Sequence, residues 1–164
     1  MFKCNCVVNE VEDILTENIA LGETKGKGRF YYNVSNSGGS VVNYEKSEDA
    51  NIEIQTLDEY ILDNHIAKDE IDCIWLDTEG CEAEILLGAA ERLKSKRIPL
   101  MQEYNPFTYI KRGKESAYYE MMKMCYTYFI DIEEPQKKYN IDLLPEYKNV
   151  MKEANKKQAD LFFF

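Results

Sequence analysis

The fold class of this chain is decided by the segment Ile71-Asp72-Cys73-Ile74-Trp75-Leu76-Asp77. This mostly apolar run ends on a carboxylate, which is typical of a buried strand in a parallel sheet covered by helices. A helix over Glu82–Leu93 is predicted after it, because apolar residues recur on one helical face and basic residues follow. A second apolar strand, Leu100–Tyr104, begins after Pro99. The pattern therefore predicts a strand–helix–strand unit with the first strand central in its sheet.

Weaker elements are predicted on both sides of this unit. They are strands ending near Leu21 and over Arg29–Val34, Ile52–Gln55, Phe129–Ile132 and Leu161–Phe164, and helices over Leu57–Asn64 and Ser116–Tyr128. The first of these helices starts with a capping box, Thr56-x-x-Glu59. One of the last strands is expected to be antiparallel. We predict a single domain, residues 1–164, with a Rossmann-like, three-layer α/β sandwich.

Length and charge limit the partners of this chain. Its 164 residues are 45% hydrophobic, which is enough for one core, and its net charge is -10. An acidic molecule is repelled by phosphate backbones and by anionic membrane surfaces, so neither nucleic acid nor a membrane is an expected partner. No apolar run approaches the roughly 20 residues of a membrane span, and no signal-peptide core follows Lys3. We expect a cytoplasmic location.

The cysteines predict neither a disulfide framework nor a metal site. There are five, an odd number spread over the chain, so reduced thiols are expected. Cys4 and Cys6 could offer two soft ligands, but no second pair has zinc-site spacing and His65 is the single histidine. We therefore assign no metal ligands.

The acids that follow the two best strands are the candidate catalytic residues. Asp77 and Glu79 follow the first strand, and Glu103 closes the second. In open α/β sheets ligands bind beyond the carboxyl ends of the strands. If the strands are neighbours, the three carboxylates converge, and repulsion between Asp77 and Glu103 raises one pKa. Such a pair gives a general base near neutral pH or a site for a divalent cation.

Each candidate also has a structural interpretation. Asp77 and Glu79 lie at the start of a predicted helix, where carboxylates cap N–H groups and interact favourably with the helix dipole. Glu103 needs a partner or a water-filled cleft, because an unpaired buried charge is costly, and the cleft is favoured. Tyr104 and Asn105, next along the chain, could orient a substrate.

Other prominent side chains are expected to have no role in chemistry. Glu82, Glu84 and Glu91 belong to a predicted helix with its own apolar face, so their carboxylates are expected in water. Trp75 is expected in the core, together with Met121, Met122 and Met124.

Several short motifs occur in this chain in a fixed order. They are Ala20-Leu21-Gly22, Ser35–Ser40, Thr56-Leu57-Asp58-Glu59, Asp77-Thr78-Glu79-Gly80, Leu87-Gly88-Ala89 and Glu103. In this order they resemble the FkbM-type methyltransferase family, whose members carry a strand ending in Asp-x-Glu-Gly, a helix with Leu-x-Gly-Ala and a strand ending in Glu. The resemblance covers nearly the whole chain and weakens after about Gly113.

The resemblance implies binding of S-adenosylmethionine and methyl transfer to an oxygen of a small molecule or sugar. It implies cofactor contacts at Ala20 and Leu21, near the adenine, and at the loop of Ser37, Gly38 and Gly39. The structural alternatives are core packing for Ala20 and Leu21 and an ordinary turn for the loop. Members of the family begin with a strand and a glycine-rich turn that cradles the cofactor, followed by a strand ending in an acid for the ribose. Neither occurs in this sequence. We therefore expect an N-terminally truncated member with an incomplete cofactor site.

Two functions follow as expectations. The first is S-adenosylmethionine-dependent methyl transfer to a small molecule or glycan, incomplete in this chain. The second, favoured by the absent cofactor turn, is a non-catalytic α/β remnant or partner-binding module that self-associates through exposed sheet edges. A hydrolase is discounted, because the Ser-Gly-Gly-Ser stretch at residues 37–40 is not a Gly-x-Ser-x-Gly elbow.

Overall fold

A computed structural model describes residues 2–35, 39–44, 49–67, 69–95 and 97–164. Within these ranges the protein is a mixed α/β structure with two sheets and packed helices. The strands are β1 (Ala20–Leu21), β2 (Gly26–Tyr31), β3 (Val41–Tyr44), β4 (Ile52–Gln55), β5 (Ile74–Leu76), β6 (Leu100–Tyr104), β7 (Tyr128–Asp131), β8 (Lys138–Asn140) and β9 (Ala159–Phe163). The helices are α1 (Phe2–Val8), α2 (Leu57–Asp63), α3 (Glu82–Leu87), α4 (Ala90–Ser95), α5 (Pro106–Lys111), α6 (Glu115–Cys125) and α7 (Leu144–Glu153), with a 3-10 turn at Ile141–Leu143.

The first sheet has the strand order β1-β4-β2-β3. β4 has the predicted bounds, whereas β2 begins at Gly26, before the predicted strand Arg29–Val34. Gly28 lies where β2 and β3 pack closely together. A Cβ atom at this position would lie only 2.8 Å from the carbonyl oxygen of Asn43 on β3, which is too close for a side chain. Glycine here therefore permits close approach of neighbouring strands.

The second sheet has the order β5-β6-β9-β7-β8 and contains the predicted strand–helix–strand unit. β5 and β6 are parallel, and β9 is antiparallel to both β6 and β7, which confirms the expected antiparallel member. The prediction that the first strand is central is wrong, because β5 is the edge strand. Its residue Trp75 is 75% exposed, so the predicted core position of this side chain is also wrong. The same prediction is confirmed for Met121 and Met122 of α6 and is wrong for Met124, which is 61% exposed.

Helices pack on one face of the second sheet. On this face Gln102 donates a hydrogen bond to Tyr118 of α6, and Asp131 accepts one from Tyr147 of α7. The other face carries a registered apolar row that is partly or largely exposed: Trp75, Met101, Phe162 and Ile130. In the described part of the chain, these contacts give the sheet one helical layer, whereas the predicted sandwich has two.

The single long helix predicted after β5 is two short helices, α3 and α4, which separate at Gly88. Gly88 packs directly against the backbone carbonyl of Gly22, so a side chain at position 88 would collide with the chain that leaves β1. The carboxylate of Asp58 then caps α4, accepting hydrogen bonds of 2.9 Å from the N–H groups of Glu91 and Arg92. A contact distant in sequence therefore determines where the helix breaks.

The capping box predicted at the start of α2 is present, with the Thr56 hydroxyl accepting from the N–H of Glu59 at 3.1 Å. Helix α6 and strands β7 and β9 match predicted elements to within a few residues. Elements α1, β3, α5, β8 and α7 are absent from the prediction. Among the described helices, none has the length and apolar character needed to cross a membrane.

Candidate functional site

The carboxyl ends of β5 and β6 bring the predicted acids to one end of the second sheet. The strands are parallel neighbours with Leu76 paired to Gln102, so Asp77 and Glu103 are the next residues along each strand. Partial burial, and then repulsion by Asp77, raise the pKa of Glu103 from its ordinary 4.5 to about 7. The structure therefore places a carboxylic acid that titrates near neutral pH at the end of β6.

A fourth acid and an amide complete this cluster. Asp160 is paired with Glu103 across β6 and β9, and burial followed by repulsion from Asp77 raises its pKa. The side-chain amide of Gln158 donates to Glu103 at 2.6 Å. An amide carries no charge, so this hydrogen bond leaves the repulsion among the acids uncompensated. Within the described ranges, no group of three or more His, Cys, Asp or Glu side chains is suited to hold a metal ion.

The loop that presents Asp77 and Glu79 is organised by Glu82. This residue is 0% exposed, and its Oε1 accepts from the N–H and hydroxyl of Thr78, at 2.8 and 2.9 Å, and from the N–H of Gly80, at 3.2 Å. The prediction that Glu82 lies in water is wrong, because these donors stabilise the carboxylate inside the protein.

Backbone conformation in this loop is unusual. Glu79 has a φ of 54° and Gly80 a φ of 90°, both in the left-handed region. A side chain at position 80 would collide with Thr108 of α5. For a residue other than glycine, such a conformation costs on the order of 1 kcal/mol and is often retained near functional sites. The Glu82 hydrogen bonds hold the loop in this shape.

A cavity of about 480 Å³ lies beside the loop and is lined by residues of both sheets. Asp77 and Glu79 contribute to its wall, as do the resemblance-derived Ala20 and Leu21. Trp75 also lines it. The remaining wall is mostly apolar, with Ile19, Val41, Val42, Ile54, Leu76 and Ile85. Its volume lies within the roughly 300–1,000 Å³ range of small-molecule sites.

The serine–glycine loop predicted to contact the cofactor is only partly described. Ser40 lines the cavity, and Gly39 precedes it in the chain. Ser37 and Gly38 lie outside the described residues. The structure therefore brings one end of this loop to the cavity.

A partly buried ion pair forms another part of the cavity wall. Arg112 donates through Nε to Glu84, whose side chain is buried. The expectation that Glu84 lies in water is therefore wrong, because this arginine, from the end of α5, provides the opposite charge. Arg112 was not among the predicted site residues, since it lies where the sequence resemblance has nearly ended.

Tyr104 is placed in the core. Its side chain is 0% exposed, its hydroxyl lies 2.7 Å from that of Tyr119, and it donates to the carbonyl of Leu144 at 3.1 Å. This position argues against the predicted contact with a substrate. Asn105 caps α5, with its side-chain oxygen accepting from the N–H of Thr108 at 3.3 Å.

The fold and the acidic loop define a mixed α/β domain with a candidate site at the carboxyl ends of parallel strands. A family profile described as "Methyltransferase FkbM domain" matches residues 3–141, well over half of the chain. The protein therefore belongs to the FkbM methyltransferase family, which confirms the resemblance drawn from its motifs. Membership of this family indicates a methyltransferase. No curated protein and no solved structure matches the chain.

Proposed function

We propose that this protein acts in S-adenosylmethionine-dependent methyl transfer to an oxygen of a small molecule or sugar. The observation that carries the proposal is the acidic end of β5 and β6 beside the cavity of about 480 Å³. The strand order β5-β6-β9, with two parallel strands followed by an antiparallel one, supports a Rossmann-like fold. Ligands of such sheets bind at this end of the strands.

Glu103 is the proposed general base. A carboxylate with a pKa of about 7 is ionised in part at neutral pH and holds a proton more firmly than an ordinary glutamate does. It can therefore accept the proton of an acceptor hydroxyl, which increases the negative charge on the oxygen. Asp77 raises the basicity of Glu103 by repulsion.

The cavity suits two parts of the cofactor. When bound, S-adenosylmethionine supplies an electrophilic methyl group on a positively charged sulfur. The apolar wall around Ala20, Leu21 and Ile54 can cover the adenine, and Asp77 and Glu79 attract the positive charge. The 164 residues hold no glycine-rich turn after a buried strand, the element that cradles the cofactor in members of this family.

We therefore expect this chain to bind S-adenosylmethionine weakly, with a dissociation constant above about 100 μM. Partial contacts give little free energy after the entropic cost of binding. Isothermal titration calorimetry measures this constant. A low-micromolar value would show that the cofactor site is more complete than the residues around the cavity indicate.

A methyl-transfer assay with candidate acceptors tests the role of the acids. Asp77→Asn and Glu103→Gln should lower the rate, Glu103→Gln by about 10²- to 10⁴-fold, as for loss of a general base. Glu91→Gln is the matched control, because Glu91 is an exposed acid on α4 and should change the rate less than about tenfold. Equal rates for the three variants would leave the acids with a structural role.

A second candidate function is a partner-binding module without catalysis. The observation that favours it is the open edge of β5, with exposed Trp75 at one end of the apolar row across the sheet. Unpaired strand edges can pair with another chain through backbone hydrogen bonds. In this function the edge pairs with a second copy of the protein.

A further inference from the structure

A second cavity, also of about 480 Å³, lies along α5 and has a different chemical character. It is lined by Asn105, Phe107, Thr108, Lys111 and Lys157. None of these five residues is acidic, whereas the cavity beside the acidic loop has three carboxylates in its wall. The second cavity is therefore positively charged in a protein with a net charge of -10.

The polar groups of this cavity are available to a ligand. No carboxylate among the described residues pairs with Lys111 or Lys157, whereas seven other lysines of the chain form ion pairs or contact an aromatic ring. The side-chain oxygen of Asn105 is occupied by the N–H of Thr108, which leaves the Asn105 amide to donate. Hydrogen-bond donors therefore predominate in the wall of this cavity. Such donors, together with the lysine ammonium groups, bind anions.

An aromatic ring adds an apolar surface to these donors. Phe107 lines the cavity, and the ammonium of Lys152 lies 5.6 Å from the centre of its ring. A third cation is thus held close to the same space. The combination suits a ligand that has a flat or apolar ring face next to an anionic group.

The position of this cavity links it to the acids. Asn105 is two residues beyond Glu103 at the end of β6, and Lys157 precedes Gln158, which donates to Glu103. Thr108 packs against Gly80 of the acidic loop. The cavity and the candidate base are therefore connected through the end of β6 and through the segment that leads into β9.

We propose that the cavity formed by Asn105, Phe107, Thr108, Lys111 and Lys157 binds the anionic group of the methyl acceptor, which is a small sugar-like molecule bearing a phosphate or a carboxylate. This proposal rests on the function proposed above. Four acids near Glu103 repel such a substrate, and the two lysines provide the opposite charge that directs it to the site. Neutral sugars lack this attraction.

Binding is tested without the cofactor by titrating the protein with glucose 6-phosphate, glucuronate and glucose, and following amide NMR signals of Asn105, Thr108 and Lys111. The first two ligands separate a phosphate from a carboxylate preference, and glucose measures the neutral contribution. Lys111→Gln and Lys157→Gln should each weaken binding of the charged sugars about five-fold, the effect of one unit charge about 4 Å away in water. Lys27→Gln, an exposed lysine on β2, should leave binding unchanged.

Equal affinity for glucose and both charged sugars, no binding of any of them, or equal effects of Lys111→Gln and Lys27→Gln would overturn the proposal. Methyl transfer to a neutral acceptor that is insensitive to both lysine variants would also overturn it while leaving the proposed function intact. Lysine-dependent binding of a charged sugar, with no methyl transfer by any variant, would support the site and count against the proposed function.

Discussion

Glu103 is a carboxylic acid that the fold keeps partly protonated near neutral pH. Its pKa of about 7 has two main causes, partial burial and the nearby charge of Asp77. Because this pKa is higher in the folded protein than its ordinary 4.5, the folded state retains a proton that the unfolded chain releases. Its contribution to stability is therefore complete below pH 4.5 and is lost as the pH rises through about 7.

Replacing Asp77 by Asn should lower the pKa of Glu103, because one source of repulsion is removed and burial remains. The measurement is a pH titration of the Glu103 side-chain carboxyl by carbon-13 NMR. Glu91→Gln, which removes an exposed charge from α4, serves as the control and should leave the pKa in place. An unchanged midpoint in Asp77→Asn would mean that the charge of Asp77 does not raise this pKa.

The positions of individual acids were predictable where they depend on strand ends. Asp77 and Glu103 terminate apolar runs, and parallel neighbours bring such ends together. The burial of Glu82 was not predictable in the same way. Helical spacing shows only that Glu82 lies off the apolar face of the predicted helix. Glu82 is buried because the preceding loop turns its backbone N–H groups toward the carboxylate. The burial of Tyr104 follows from strand alternation, which puts this side chain on the helix-covered face.

At the scale of secondary structure, the break between α3 and α4 shows how a distant contact overrides local pattern. The apolar periodicity from residue 82 to 93 is compatible with one helix, and a glycine inside a helix costs only about 1 kcal/mol. The break follows from Gly88 packing on the carbonyl of Gly22 and from Asp58 capping the next helix. Gly22 and Asp58 both come from the region of the first sheet, so the sequence around Gly88 does not indicate these contacts.

Asp58→Ala should destabilise the protein by about 1 kcal/mol, the usual effect of losing an N-cap carboxylate. Two N–H groups at the start of α4 would lose their acceptor. Thermal unfolding followed by circular dichroism should show a melting temperature lower by about 2–4 °C for a domain of this size. Asp69→Ala removes an exposed acid of the same type and should have little effect. Equal shifts would mean that the cap contributes nothing.

At the scale of the whole molecule, the sequence predicted the class of fold better than the arrangement of its strands. The parallel pairing of β5 and β6 and the antiparallel β9 were predictable from their apolar runs and the helix between them. The edge position of β5 was not, because an apolar strand does not reveal how many neighbours it has. For the same reason, the apolar pattern does not show that the strands are divided between two sheets.

If the β5 edge pairs with a second copy, self-association should depend on Trp75. Trp75→Lys places a charge at the edge and should shift the protein toward the monomer, because charged edges resist strand pairing. Sedimentation velocity over a range of concentrations measures the change. Leu62→Lys on α2, where the wild-type side chain is 72% exposed, is the control. A wild-type protein that stays monomeric at all concentrations would rule out this association.

Trp75 also gives the protein an internal optical reporter. It is the single tryptophan of the chain, it lines the cavity beside the acidic loop, and its indole is 75% exposed. Its fluorescence spectrum should therefore resemble that of an indole in water, and it should shift or lose intensity when a molecule enters that cavity or a strand covers the β5 edge. Ligand entry and strand pairing can thus be followed in the unlabelled wild-type protein.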